Sequence, residues 1–208
     1  VNAVRWGRSL YENIQRFILF QLTINVVALG LAVTGPFLGY ELPLTVMQML
    51  WVNLIMDTFA ALALATEPPH EAVLQRPPRP PDAFIVTRRM ARGIFGVGGT
   101  FLLLLLAFIL VARNYGGLTN DDSPSRAGTL LFTAFVLLQF WNLFNAKAMG
   151  RSGSVLPTLG NNPSFLAIAA AILVGQILIV QLGGEVFRTV PLSLIDWALL
   201  IGLTSAVL

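Results

Sequence analysis

Six apolar runs, set apart by gaps that hold Pro, Gly and Arg, constrain this chain more than any single motif in it. They fall at about residues 17–33, 44–65, 94–112, 129–146, 164–182 and 192–208. An α-helix rises about 1.5 Å per residue, so each run can cross roughly 30 Å of hydrocarbon. The expected fold class is all-α: a polytopic transmembrane bundle of about six spanning helices, with the lipid bilayer as its first partner. Only 11% of the residues are charged, where soluble proteins carry about 25%. With no cysteine in the chain, disulfides, thiolate metal sites and cysteine nucleophiles are excluded.

The breaks are as informative as the runs. Residues 1–16 are polar but compatible with a helix, and are expected to carry the first span out of the membrane as a cytoplasmic stalk. Gly35-Pro36 should end that helix, and Pro68-Pro69 the second. Residues 67–92 form the longest gap. Pro68, Pro69, Pro77, Pro78, Pro80 and Pro81 favour extended, semi-rigid backbone there. The whole chain, 1–208, reads as one transmembrane domain. It starts with Val, and its last apolar run reaches Leu208, so the expectation is a fragment of a longer protein.

Charge sets the expected topology. With the N-terminus inside, the inner segments hold Arg5, Arg8, Arg16, Arg76, Arg79, Arg88, Arg89, Arg92, Lys147 and Arg151. The outer ones hold only Arg113, Arg126 and Arg188. Cytoplasmic loops carry the excess of Lys and Arg, so both ends should be cytoplasmic. The net charge of +3 is spread between spans and not gathered in a tract, so nucleic acid is not an expected partner.

Asp57 stands alone as a charge within residues 44–66, at the middle of a span. A carboxylate there costs roughly 2.5–3.5 kcal/mol on insertion scales. Asn53 precedes it by four residues, one turn away on the same face of a regular helix and about 6 Å along the axis. Two oxygen-bearing side chains in a dry interior suit a hard cation such as calcium. The spans offer almost no basic partner for Asp57; a proton relay is the other role open to a lone membrane Asp. Asn25, mid-span in the first helix, suits interhelical bonding and ligand support equally. Gln139, Asn142 and Asn145 form a polar stripe at i, i+3 and i+6, read as helix–helix glue with Gln139 near the ion path.

Elsewhere the plainer readings prevail. Gln176 and Gln181 read as packing residues, and His70 as a solvated loop residue. Asn120, Asp121 and Asp122 read as a solvated turn, and Asp196 as a surface residue. Gly96, Gly98 and Gly99 allow close helix approach. No strand precedes them, so they are no phosphate cradle. Trp51, Trp141 and Trp197 suit interface anchoring or packing.

Residues 48–69, QMLWVNLIMDTFAALALATEPP, resemble the sixth transmembrane helix of P-type calcium-transporting ATPases, above all the plasma-membrane type. Residues 5–28, RWGRSLYENIQRFILFQLTINVVA, resemble that family's fifth helix and stalk, and QFWNLFNAK (139–147) echoes a later one. The resemblance implies that Asn53 and Asp57 are calcium ligands, that Asn25 matches the Asn of the fifth helix, and that Gln139 falls where the eighth helix of two-calcium pumps supplies a Glu. Ala28 and Met56 stand where those pumps carry a Glu and a Thr. These departures imply a single calcium site. Phe59-Ala60 replaces a common Leu-Gly, so the glycine that would help the helix unwind is missing.

The resemblance also has implications beyond the chain itself. No Asp-Lys-Thr-Gly phosphorylation motif and no fourth helix with its Pro-Glu motif occur in the chain. ATP and magnesium would be bound outside this segment, in the intact pump. The stalk and the 67–92 loop would face the phosphorylation domain, and the first four helices would complete the bundle. Asp57, bared when calcium leaves, would take up a proton and give calcium/proton counter-transport. A P-type pump for another cation and a non-enzymatic six-helix channel or carrier subunit are the alternative expectations.

Overall fold

The computed structural model describes residues 2–39, 44–66, 73–74, 80, 84–114, 123–149 and 162–208, and these form helices and turns with no strand. Most of the Pro-rich loop, His70, Asn120, Asp121, Asp122, Arg151 and the side chain of Met56 lie outside the described residues.

Helix α1, Asn2–Thr34, runs unbroken through the polar segment and the first apolar run. Its 33 residues extend about 50 Å, some 20 Å more than the hydrocarbon needs. Gly35-Pro36 ends it, because Pro cannot donate the next helical bond, and a 3-10 turn succeeds it over Pro36–Leu38. Helix α2, Val46–Ala65, begins at a capping box: Thr45 Oγ1 accepts from the Gln48 amide, and Gln48 Oε1 accepts from the Thr45 amide. Its middle, Trp51–Met56, is π-helical.

Helix α3, Arg88–Asn114, starts six residues before the apolar run does. Thr87 Oγ1 accepts from the Met90 amide and lets the arginine-bearing turns join the helix. Helix α4, Arg126–Ala148, starts at a Ser125 cap, and α5, Pro163–Leu182, at an Asn162 cap with Pro at the first position. A short helix α6, Gly184–Phe187, turns the chain through a left-handed Arg188. Helix α7, Leu194–Ser205, is capped by Ser193 and Asp196.

Among the described residues, five helices are long and apolar enough to span; α7, at 12 residues, is shorter than the expected sixth span. The Ser193 cap fixes its start, since the cap side chain occupies the amide that another turn would need.

Helix α4 is the hub. Within the bundle, 72% of its apolar window is buried, against 28–33% for the other four long helices. It packs on α1, α3, α5 and α7, while α1, α2, α5 and α4 close a four-helix ring by successive contacts. Phe132, Phe135, Phe20, Phe101 and Phe165 fill the core around it. Lipid tails are as apolar as these side chains, so helix association here rests on close packing and interhelical hydrogen bonds.

Contact register gives helix direction. Gly98 packs against Val26 and the Thr23 carbonyl, and Gly30 against Leu102. Gln15 Nε2 donates to the Ile85 carbonyl, and Arg113 Nη1 to the Leu38 carbonyl, at separations of 70 and 75 residues. A near-constant separation means that α1 and α3 run parallel. Between α2 and α5 one index rises as the other falls (Trp51 meets Gln176, Asn162 meets Thr66), so they run antiparallel. Trp141 meets Thr204 and Asn145 meets Val207, so α4 and α7 run parallel. All three relations are those of a chain that reverses direction at every crossing.

Of the three glycines expected to admit close approach, Gly98 does so, while nothing lies within 4 Å of a Cβ built on Gly96 or Gly99. Gly30 makes the matching approach from α1.

Candidate metal centre

Asp57 is the first residue after the π-helical stretch and is 8% exposed. Its Oδ1 has no hydrogen-bond partner, and no Lys or Arg pairs with it among the described residues. A buried polar atom left in that state costs about 1–3 kcal/mol, and more when charged. Packing alone gives no reason for an acid here.

The sequence expectation placed Asn53 and Asp57 together on one face. The structure gives them different surroundings: Asp57 is buried and Asn53 is exposed. The stretch between them is π-helical. Its i→i+5 bonding fits an extra residue into one turn. A one-residue change of register rotates the downstream residues by roughly 100° about the helix axis. The missing glycine at residues 59–60 did not prevent irregularity; it occurs one turn earlier instead.

Asn25 is also exposed on α1, although Thr23, Ile24, Val27 and Ala28 around it are buried. Gln139 is fully buried in α4, and neither Nε2 nor Oε1 finds a partner among the described residues. Asn142, one turn on, leaves its Nδ2 unpartnered at 1% exposure. Asn145 behaves as the helix–helix glue expected of the stripe, donating to the Val207 carbonyl at 3.1 Å.

Asp57 and Gln139 therefore sit on two members of the four-helix ring, each with unmet hydrogen-bonding capacity, and no hydrogen bond joins them. Gln176, on a third member, accepts from Trp51 Nε1 at 3.1 Å and keeps a buried, unpartnered Nε2. Calcium takes about 6–8 oxygen ligands. The described residues hold no group of three His, Cys, Asp or Glu that could bind a metal. They can supply a carboxylate and amide oxygens, which is a share of a hard-cation site and not a whole one.

Several of the remaining polar residues are tied down, whereas Trp197 Nε1 is buried with no partner among the described residues. Gln181 donates to the Leu192 carbonyl at 2.9 Å, and Trp141 Nε1 to Thr204 Oγ1 at 3.0 Å. Asp196 pairs with Arg126 at 2.6 Å. Lys147, at the end of α4, is 1% exposed with its Nζ 3.9 Å from the centre of the Phe165 ring. Sequence reasoning missed Gln48, which is 3% exposed and donates to the Phe187 carbonyl at 2.8 Å. Its capping-box position after Thr45 was the available signal.

The family described as "Cation transporting ATPase, C-terminus" matches residues 41–208. The chain is 39% identical over 203 residues to plasma membrane calcium-transporting ATPase 2 of Oreochromis mossambicus, a match that covers 95% of this chain and 18% of that one. It is 40% identical over 203 residues to plasma membrane calcium-transporting ATPase 3 of Homo sapiens, with 95% and 17% covered. It is 39% identical over 205 residues to probable calcium-transporting ATPase 8, plasma membrane-type, of Oryza sativa subsp. japonica, with 99% and 20% covered. The chain thus spans a fifth or less of the length of these relatives.

Proposed function

Since the chain belongs to the cation-transporting ATPase family, as its C-terminal membrane part, we propose that it supplies part of a calcium site and of the export path in an ATP-driven pump of the plasma membrane. The observation that carries this is the Asp57 carboxylate: buried, mid-span, and without a counter-charge among the described residues. Family membership favours a pump over a free-standing channel subunit, and the names of the relatives favour calcium over another cation.

The reading extends to the neighbours. Ala28 and Gln139 put no carboxylate where two-calcium pumps have one, which supports a single site. Asn25 and Asn53 are exposed, which leaves room for other helices of the intact pump to pack beside them and complete the ligand set around Asp57. ATP and magnesium belong to parts of that pump outside residues 1–208. The projecting half of α1 meets the phosphorylation domain and carries its motion to the site. Both ends of the segment lie in the cytoplasm.

Asp57 holds calcium as a carboxylate. When the ion leaves, a bare charge in a low-dielectric interior is compensated by a proton. The test uses sealed vesicles that hold the full-length pump with its cytoplasmic face outward. Adding ATP and calcium should load the lumen with calcium and raise lumenal pH, because protons leave as calcium enters. Calcium loading with no proton movement removes the counter-transport, and no calcium loading removes the pump.

A further inference from the structure

We propose that Gln176 and Gly175 of α5 are positioning residues that hold the π-helical register of α2 and so keep Asp57 on the buried face. The inference rests on the reading of Asp57 as a calcium ligand. It adds residues from a helix to which that reading gives no part.

Side-chain hydrogen bonds pin α2 at both ends. Upstream of the π-helical stretch, Gln48 Nε2 donates to the Phe187 carbonyl at 2.8 Å, and Trp51 Nε1 donates to Gln176 Oε1 at 3.1 Å. Downstream, the Thr66 carbonyl accepts from Asn162 Nδ2 at 3.3 Å. Helix α2 is thus fixed to the α5–α6 unit on both sides of Trp51–Met56. With its two ends fixed, the segment between them must hold the extra residue. Relaxing to a regular α-helix requires one end to rotate by roughly 100° against the other, which turns Asp57 relative to the Trp51 end of α2 and strains the packing that buries it.

Trp51 is the sensitive pin because it opens the π-helical stretch and is held in two ways. Its indole N–H meets Gln176. Its ring lies where a side chain on Gly175 would stand, for a Cβ there would come within 2.9 Å of Cη2. Gln176 is fully buried and Trp51 half-buried, so this part-buried hydrogen bond lies in a low-dielectric setting that strengthens it. A substitution at either position acts on Trp51, and through the register of α2 on the carboxylate.

The experiment measures calcium-dependent phosphorylation of the full-length pump from ATP. It compares wild type with Gln176→Leu, Trp51→Phe, their double variant and Gly175→Val, with Asp57→Asn as the control for the ligand reading. A hydrogen bond of this type is worth up to about tenfold. Gln176→Leu and Trp51→Phe should each raise the calcium concentration for half-maximal phosphorylation about three- to tenfold, with the maximal level per folded protein unchanged. The double variant should be no worse than the more affected single one, and Gly175→Val should shift in the same direction. Unchanged calcium dependence in both single variants, or a loss confined to the amount of folded protein, overturns the proposal while loss of calcium dependence in Asp57→Asn leaves the ligand reading standing. Wild-type calcium dependence in Asp57→Asn overturns both.

Discussion

The α1–α3 and α2–α5 pairs are joined by different physics. Along α1–α3 the helices run parallel and regular, and two glycines let the backbones close up: Gly98 onto Val26 and Thr23, Gly30 onto Leu102. Along α2–α5 they run antiparallel and are tied by side-chain hydrogen bonds on either side of a loosened π-helical turn. Close packing has one good arrangement, and a gap of about 0.5–1 Å already forfeits a quarter to a half of the contact energy. A pinned, irregular turn depends instead on a few directional side-chain bonds. The first pair is a strut held by packing and the second, the switch of the comparison, is held by directional bonds; the acid sits on the second.

That contrast can be broken from either side. The largest effect on stability is expected from Gly98→Leu. Overpacking a tight contact costs about 1–3 kcal/mol, so the full-length protein in detergent should unfold at a clearly lower temperature. The calcium dependence of the protein that stays folded should remain within about twofold of wild type. A large calcium shift in this variant would erase the distinction between strut and switch. Gln176→Leu should show the inverse pattern, losing no more than about 1.5 kcal/mol of stability while calcium dependence moves several-fold. Trp141→Phe tests a third case, the parallel α4–α7 pair, whose indole-to-Thr204 bond ties two regular helices. Interhelical hydrogen bonds in membranes average about 0.6 kcal/mol. A small fall in melting temperature with unaltered calcium response is therefore expected, and a calcium phenotype would extend the switch to α4.

Much of the architecture was legible in the sequence because the signals are local. Run length gave five of the six spans, and Gly35-Pro36 ended α1. The caps at Ser125, Asn162 and Ser193 are equally local signals, but run length alone does not use them, which is why it puts the start of α7 too early. The extra turns at the start of α3 were not foreseen, because a run-length rule counts Arg88, Arg89 and Arg92 as gap. The site was legible in part. Asp57 stood out because a charge in an apolar run is costly wherever it points. The face that Asn53 presents was not readable. It depends on what packs at that level of α2, which no periodicity within α2 encodes. The outward face of Asn25 depends in the same way on which helices pack on α1, which no periodicity within α1 encodes.

The central claim is that the buried Asp57 carboxylate exists to hold the transported ion. Radiocalcium uptake by vesicles bearing the full-length pump with Asp57→Asn tests it most directly. The replacement keeps shape and one oxygen and removes the charge. The expected result is uptake at background level with wild-type amounts of protein in the membrane. ATP-driven uptake at the wild-type rate and calcium dependence would contradict the claim.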